Sequence, residues 1–223
     1  MNSRSHPVKA RIAGPLALFT RPEMKVERVS YEVITPSAAR GVLSAVLWKP
    51  EMRWEVRRIT VLNPIRFLSI KRNEIATKVP ASFSRWAREN RPDRDFFADD
   101  DRQQRNSVLL REVDYLVEAT IELTDRAGPD DPVQKYVEIF ERRLAKGQCF
   151  QQPYLGCREF PATFASANGD ERAADELRGH EIDLGWMLHD IDFETRPFQP
   201  RFFHAVMSDG VVAVPPWRRE VAA

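Results

Sequence analysis

The chain has 223 residues, of which 43% are hydrophobic and 30% are charged, and its formal net charge is +1. This composition is that of an ordinary soluble protein with one elaborated domain or two small ones. No apolar run approaches the roughly twenty residues that span a bilayer, and the N-terminal MNSRSHPVKA lacks the apolar core of a secretory signal. We therefore expect a cytoplasmic protein with no membrane partner.

The chain begins with a strand pattern that is followed by a helix. Val8 to Ala13 alternate between apolar and polar residues, which predicts a first strand that Gly14-Pro15 ends or kinks. Thr35 is suited to cap a helix, because its hydroxyl can accept a backbone hydrogen bond, and Pro36 suits the first helical position. An apolar stripe at helical spacing follows, and Pro50 closes it, so we predict a helix of about a dozen residues.

A long strand pattern comes next, and then an irregular insertion. Trp54 to Leu62 alternate as in a half-buried strand, and Ile65 to Ile70 read as its continuation after a kink at Asn63-Pro64. From Lys78 to Asp101 the pattern dissolves into a loop that contains several Arg, aromatic residues and two prolines. Such a loop fits RNA contact, because bases stack on rings while cations meet phosphates. A loop anchored by its own aromatic residues fits equally well.

The next part of the chain again predicts strands and a helix. Val108 to Leu123 form a long β-rich run, and an amphipathic helix follows, with Asp130 or Asp131 as its cap, Pro132 just inside and Gly147 at its end. Tyr154 to Phe164 read as a further strand. The order β-α-β-β-α-β predicts an α+β, ferredoxin-like domain of the RNA-recognition type.

Residues 166–223 form a different part of the chain. A polar stretch from Ser166 to Gly179 precedes two β-like runs, Leu184 to Phe193 and Phe202 to Met207. Asp209-Gly210 is typical of a hairpin turn before Val211 to Val214. We therefore expect a ferredoxin-like, RNA-binding domain over residues 1–165 with the inserted basic loop, and a small β-rich C-terminal extension over residues 166–223.

Charge is segregated along the chain although its total is nearly neutral. From Arg40 to Arg94 there are thirteen Lys or Arg and five Asp or Glu, a net charge of +8, whereas from Asp95 to Asp131 there are four and eleven, a net charge of −7. A phosphate backbone is the simplest anionic partner for the first segment. Alternatively, the basic residues meet the acidic segment within the fold. The charge distribution by itself favours neither the anionic partner nor the pairing within the fold.

Several motifs resemble the subtype I-C member of the CRISPR-associated Cas five family. They are TPSAARGVL, WKPEMRWEV, VLNPIRF, KRNE and KGQCFQQPYLGCREF, within a similarity that covers most of Lys9 to Pro215. The resemblance implies a subunit of a CRISPR surveillance complex with a ferredoxin-like domain. It also implies an endoribonuclease that cuts precursor CRISPR RNA. The partners would be repeat RNA, guide RNA and other subunits, with duplex DNA as a further candidate ligand.

The resemblance also implies three catalytic positions, a Tyr at the end of the first helix and a Lys-His pair at the start of the second. In this sequence they fall on Leu47, Lys135 and Tyr136, so only the lysine matches. Lys135 is suited to stabilise phosphate charge and Tyr136 to transfer a proton, whereas Leu47 can do neither. Tyr136 also lies on the apolar stripe of its predicted helix, so the alternative interpretation is that it has a purely structural role.

No residue pattern requires a metal or a cofactor. The four histidines are scattered, and Cys149 and Cys157 are too far apart for a typical zinc knuckle. Metal-independent cleavage of RNA is compatible with this sequence, because the 2′-hydroxyl of RNA can attack the adjacent phosphate once a base removes its proton. The alternative function is a subunit that caps the 5′ handle of the guide RNA without cutting it.

The predicted RNA contacts are basic residues of the matching motifs and their surroundings. The first group comprises Arg40, Lys49, Arg53, Arg66, Lys71 and Arg72. The second group surrounds the glycine-bearing loop after the second helix and comprises Arg142, Arg143, Gly147, Gln148 and Arg158. Glycine permits a close approach of an RNA backbone because it lacks a Cβ. A helix C-cap with cations that complement the helix dipole explains the same loop.

Overall fold

A computed structural model describes residues 3–24, 26–78, 81–89, 97, 99–193 and 195–217. Over these residues the chain is an α+β protein built on one mostly antiparallel sheet of nine strands. The strands are β1 Val8–Ala17, β2 Arg28–Val29, β3 Met52–Val61, β4 Phe67–Ile75, β5 Arg102–Leu123, β6 Thr163–Ser166, β7 Glu181–Asp192, β8 Gln199–Ser208 and β9 Val211–Ala213. The helices are α1 Pro36–Val46, α2 Phe83–Arg88 and α3 Val133–Lys146.

The sheet is organised around β5, a strand of 22 residues. The strand order is β6-β1-β5-β3-β9-β8-β7, and β2 and β4 also pair with β5. Leu110 of β5 lies between Ala17 of β1 and Phe67 of β4, whereas Tyr115 lies between Ile12 of β1 and Val61 of β3. Strands β3 and β4 therefore follow one another along the same edge of β5, which confirms the predicted continuation after the kink at Asn63-Pro64.

The helix α1 forms as its sequence predicts. The Thr35 hydroxyl accepts a hydrogen bond from the Ala38 amide at 3.2 Å, and Pro36 occupies the first helical position. The apolar stripe is buried against the sheet, and the core includes a contact between the rings of Trp54 in β3 and Phe140 in α3, with centroids 4.5 Å apart. Burial of these side chains is the main stabilising contribution.

Three local predictions differ from the structure, and in the first two a contact between distant segments decides the outcome. Strand β1 does not end at Gly14-Pro15 but continues to Ala17, and only a kink there stays a prediction. Gly14 lies opposite Val113 and Leu16 opposite Arg111, on either side of Glu112, whose φ is 53°. The loop between Pro153 and Pro161 replaces most of the strand predicted over Tyr154 to Phe164. Within it, Gly156 has a φ of 85°, and an added Cβ would lie 1.9 Å from the Leu18 carbonyl oxygen. Close packing on β1 therefore shapes this loop.

The third difference concerns the start of α3. Pro132 is its N-cap, and no side chain caps the helix. Asp131 instead accepts a hydrogen bond from the Gly128 amide at 3.2 Å and binds Lys135. Gly147 ends the helix as predicted, with a φ of 61°.

The predicted insertion lies at the tip of the long hairpin that β4 and β5 form. Its base is closed by Asp101, whose backbone carbonyl accepts a hydrogen bond from the Ala76 amide and whose carboxylate accepts two from Thr77. The six-residue helix α2 belongs to the insertion. Residues 79–80, 90–96 and 98 lie outside the described residues, so a role of this loop in RNA contact stays a prediction.

The C-terminal β-rich prediction is confirmed at the level of its elements. β7 and β8 pair over their length, and Asp209 and Gly210 both have positive φ in the turn before β9. Strand β9 then pairs with β3. These three strands therefore extend the same sheet. Among the described residues, no helix is long and apolar enough to cross a membrane.

Many of the segregated charges meet inside the fold. Basic residues of β3 lie across from acidic residues of β5, and Arg53 and Arg57 both reach Glu122. Arg58 lies 3.7 Å from Glu118, and Arg66 lies 2.9 Å from Glu112. Pairing of the basic and acidic segments thus accounts for part of the asymmetry in the sequence.

Glu122 is the centre of the largest of these charge clusters. Burial opposes its ionisation, but hydrogen bonds from Glu55, Arg53 and Arg4 outweigh that effect and lower its pKa to about 2. A carboxyl whose pKa is lowered on folding stabilises the protein above its ordinary pKa of 4.5. That stability is lost as the pH falls towards 2.

We therefore expect Glu122→Gln to lower the free energy of unfolding at pH 7 by roughly 2 kcal/mol, with the half-exposed arginines limiting the effect. The difference from the wild type should shrink as the pH falls from 4.5 towards 2. Urea unfolding at pH 7 and pH 3 measures it. A difference that is the same at both pH values would contradict this account of Glu122.

Candidate RNA interface and catalytic site

The positions that the resemblance assigns to catalysis lie near the ends of α1 and α3. Leu47 is the C-cap of α1 and is completely buried. Its carbonyl oxygen accepts a hydrogen bond from Trp54 Nε1 at 2.8 Å. Arg143 on the last turn of α3 donates to the Val46 carbonyl at 2.5 Å, which ties the two helices together. The Leu47 side chain therefore contributes packing and no polar group.

Lys135 is exposed on the first turn of α3. Its Nζ lies 2.7 Å from Asp131 Oδ1, and half of its side chain is accessible. The hydrogen bond that Lys135 donates to Asp131 raises the pKa of Lys135, and the same contact lowers the pKa of Asp131. A lysine held in its charged form is suited to stabilise charge on a phosphate. Asp131 was not identified from the sequence as the ion-pair partner of Lys135, although the i, i+4 spacing of the two residues was a signal for such a pair.

Tyr136 follows Lys135 in α3 and, unlike the lysine, it is buried. It is 2% exposed and belongs to the hydrophobic core. Burial, with a smaller effect from Asp131, raises its pKa above the ordinary value of 10.0. The phenol therefore keeps its proton at neutral pH, which suits a proton donor rather than a base. Lys135 Nζ lies 5.4 Å from the centre of the Tyr136 ring.

Four of the predicted RNA-binding arginines are engaged in ion pairs. Arg40 binds Asp190, Arg53 binds Glu122, Arg66 binds Glu112 and Arg72 binds Glu159. Arg143 is held by the Val46 carbonyl. An arginine in an ion pair can still contact RNA, but the pair must open or share its guanidinium, which lowers the gain in free energy.

Other predicted residues remain available to an anion. Lys49, Lys71, Arg142 and Arg158 are exposed and form no ion pair with any residue that the structure describes. Gly147 caps α3, so the C-cap interpretation of this residue is confirmed. The Gln148 amide donates to the Arg143 carbonyl at 2.9 Å as part of the same cap. Contact of Gly147 and Gln148 with RNA stays a prediction.

Lys71 and Arg72 are neighbours on β4, so their side chains leave opposite faces of the strand. Lys71 is exposed, whereas Arg72 lies near Glu74 and binds Glu159. The two residues therefore cannot present their charges to the same RNA surface side by side.

We expect Lys71→Ala to weaken binding of repeat RNA and to reduce its salt slope by about one charge unit. Arg72→Ala should have a smaller effect, because Glu159 already neutralises its guanidinium. The measurement is the dissociation constant at several salt concentrations. An unchanged slope for Lys71→Ala would remove this residue from the interface.

A groove runs between α1 and the loop after α3. Its volume is about 490 Å³, and its lining includes Arg40, Gly41, Ser44, Gln151 and Tyr154. Gly41 has nothing within 4 Å of an added Cβ, so the helix backbone is open to the groove. Among the described residues no group of three or more His, Cys, Asp or Glu side chains is placed to hold a metal ion.

Comparison with known proteins places the chain in a family. The model of the family described as CRISPR-associated protein (Cas_Cas5) matches residues 8–215. A protein of Mannheimia succiniciproducens named CRISPR pre-crRNA endoribonuclease Cas5d is 50% identical over 218 residues, which are 96% of each chain. A protein of the same name from Thermus thermophilus is 43% identical, over 93% of this chain and 91% of its own.

Solved structures agree at the level of the fold. A crystal structure described as a CRISPR-associated protein has a TM-score of 0.69 and 23% identity, covering 99% of this chain and 95% of its own. A functionally uncharacterized protein from Streptococcus mutans has a TM-score of 0.67 and 23% identity, covering 99% and 96%. The family match over nearly the whole chain confirms the resemblance seen in its motifs, and the chain belongs to the Cas5 family of CRISPR-associated proteins, in its Cas5d branch.

Proposed function

We propose that this chain is an endoribonuclease that cuts precursor CRISPR RNA within the repeat, in the cytoplasm. The observation that carries the proposal is its identity of 50% and 43%, over more than nine-tenths of the chain, to two proteins named CRISPR pre-crRNA endoribonuclease Cas5d. The exposed Lys135 at the start of α3, where the resemblance expects a catalytic lysine, supports it further.

The reaction needs no resident cofactor. A base removes the proton of the 2′-hydroxyl, the 2′-oxygen attacks the adjacent phosphorus, and the bond from phosphorus to the 5′-oxygen breaks. Lys135 stabilises the negative charge that develops on the phosphate oxygens. Tyr136 donates its proton to the leaving 5′-oxygen, since its raised pKa keeps the phenol protonated. The products are a 2′,3′-cyclic phosphate and a 5′-hydroxyl.

We further propose a ferredoxin-like architecture for the N-terminal part, which ends near residue 165. Four strands with the sequence order β1, β3, β5 and β6 stand in the spatial order β6-β1-β5-β3, and each neighbouring pair is antiparallel. Helices α1 and α3 connect β1 to β3 and β5 to β6. This arrangement supports the β-α-β-β-α-β plan. Strands β7 to β9 form the C-terminal part.

A second candidate function is supported by the departures at Leu47 and Tyr136. A buried leucine and a buried tyrosine replace two of the three residues that the resemblance assigns to catalysis. The alternative is a subunit of the surveillance complex that caps the 5′ handle of the guide RNA together with other subunits, without cutting.

Incubation of the purified protein with a labelled repeat hairpin in EDTA separates the two functions. We expect one cut within the repeat and a product that carries a 2′,3′-cyclic phosphate. Tight binding without cleavage, with or without added Mg²⁺, would favour the capping subunit. Cleavage that occurs only when Mg²⁺ is present would contradict the metal-free mechanism.

A further inference from the structure

Two large aromatic side chains are exposed near the end of α1. Trp48 is 61% exposed and Phe150 is 85% exposed. Single exposed apolar residues are common on protein surfaces, but rings of this size usually bury most of their area. Their exposure therefore makes them candidates for contact with a ligand or a partner.

The backbone that carries both rings is fixed. The Phe150 amide donates to the Ala45 carbonyl at 2.8 Å, and the Gln151 amide donates to the same oxygen at 3.3 Å. Trp48 follows Leu47, whose amide donates to the Leu43 carbonyl at 2.9 Å and whose own carbonyl is bound by Trp54. Both rings are therefore presented from the C-terminal end of α1, and their backbone needs no ordering when a ligand binds.

The charge around these rings indicates which ligand they suit. Residues 48–53 and 142–150 contain five Lys or Arg and a single acidic residue, Glu51. Lys49, Arg142 and Lys146 are exposed and form no ion pair with the described part of the chain. By contrast, the exposed Trp186 lies on β7, which contains four acidic residues and no Lys or Arg. The basic surroundings of Trp48 and Phe150 favour a nucleic acid over an apolar protein surface.

Lys135 lies on the first turn of the 14-residue helix α3, whereas Phe150 follows the Gly147 C-cap at the other end of that helix. The segment that follows Trp48 leads to Glu51, whose backbone carbonyl accepts a hydrogen bond from the Thr124 amide at 2.9 Å. The loop that begins at Trp48 is therefore held against the segment between β5 and α3.

We propose that Trp48 and Phe150 stack on unpaired nucleobases of the RNA substrate. The inference rests on the proposed endoribonuclease function and specifies its substrate as a repeat whose nucleotides are single-stranded at this point. Stacking is tolerant of base identity, because every base has a π-face. The two rings thus position the RNA strand, while other residues determine the specificity for the repeat sequence.

The test uses the full-length protein and a repeat hairpin with single-stranded flanks that contain 2-aminopurine. Trp48→Ala and Phe150→Ala should each raise the dissociation constant between roughly fivefold and a hundredfold and reduce the quenching of 2-aminopurine on binding. Trp48→Phe should keep most of the RNA affinity and most of the 2-aminopurine quenching. Trp186→Ala, an equally exposed tryptophan among acidic residues, is the matched control and should bind like the wild type.

The two proposals fail in different ways. If the wild type cuts the repeat but Trp48→Ala and Phe150→Ala bind it with unchanged affinity and quenching, the stacking site is refuted and the endoribonuclease stands. Equal weakening by Trp186→Ala would also refute the site, since the effect would not be local. A wild-type protein that neither binds nor cuts the repeat refutes the proposed function, and the stacking site with it.

Discussion

Replacement of Lys135 by alanine is expected to lower the single-turnover rate of repeat cleavage on the order of a hundredfold or more. The ammonium group is held in its charged form by Asp131, and loss of one electrostatic donor at a developing negative charge has effects of this size. Binding of the RNA should change much less, because one phosphate contact is a small part of a multivalent basic surface. The measurement is the rate at saturating enzyme, in EDTA, with a labelled hairpin.

The chain offers a matched control for this experiment. Lys9 on β1 has the same side-chain exposure as Lys135, 51%, and it also faces a carboxylate, Glu118, at 3.7 Å. Lys9→Ala should cleave at the wild-type rate. Undiminished cleavage by Lys135→Ala would remove this residue from the catalytic site, and equal losses in both variants would indicate a general effect of charge.

The second large effect is expected for Tyr136→Phe, which keeps the buried ring and removes only its hydroxyl. If the phenol protonates the leaving 5′-oxygen, the cleavage rate should fall about a hundredfold, while RNA affinity and thermal stability stay near those of the wild type. Single-turnover kinetics, equilibrium binding and a thermal melt measure the three quantities separately. A wild-type rate in Tyr136→Phe would leave this residue with a purely structural role.

The pH dependence of cleavage gives an independent check on Tyr136. Because burial raises its pKa above 10.0, the acid form persists through neutral and mildly alkaline pH. The contribution of Tyr136 should therefore be constant from pH 7 to 9 and decline only above pH 10. A ratio of wild-type to Tyr136→Phe rates that already falls between pH 7 and 9 would contradict a buried phenol as the proton donor.

The sequence by itself determined the elements whose signals are local. The cap at Thr35, the proline at position 36 and the apolar stripe specify α1, because capping and helical periodicity act within a few residues. Gly147 ends α3 for the same reason, and Asp209-Gly210 forms the turn before β9. The family was also readable from motifs such as TPSAARGVL, since they extend along the chain and need no three-dimensional information.

Only the tertiary structure decided which charges remain available to RNA and which side chains can do chemistry. Arg53 and Glu122 are 69 positions apart, and they meet because β3 and β5 are adjacent in the sheet. Packing of the Gly156 backbone on Leu18 turned a predicted strand into a loop. Packing of the hydrophobic core buries Leu47 and Tyr136, whereas Lys135 and Trp48 stay exposed. Contacts between distant segments set these outcomes, and no local pattern in the sequence records them.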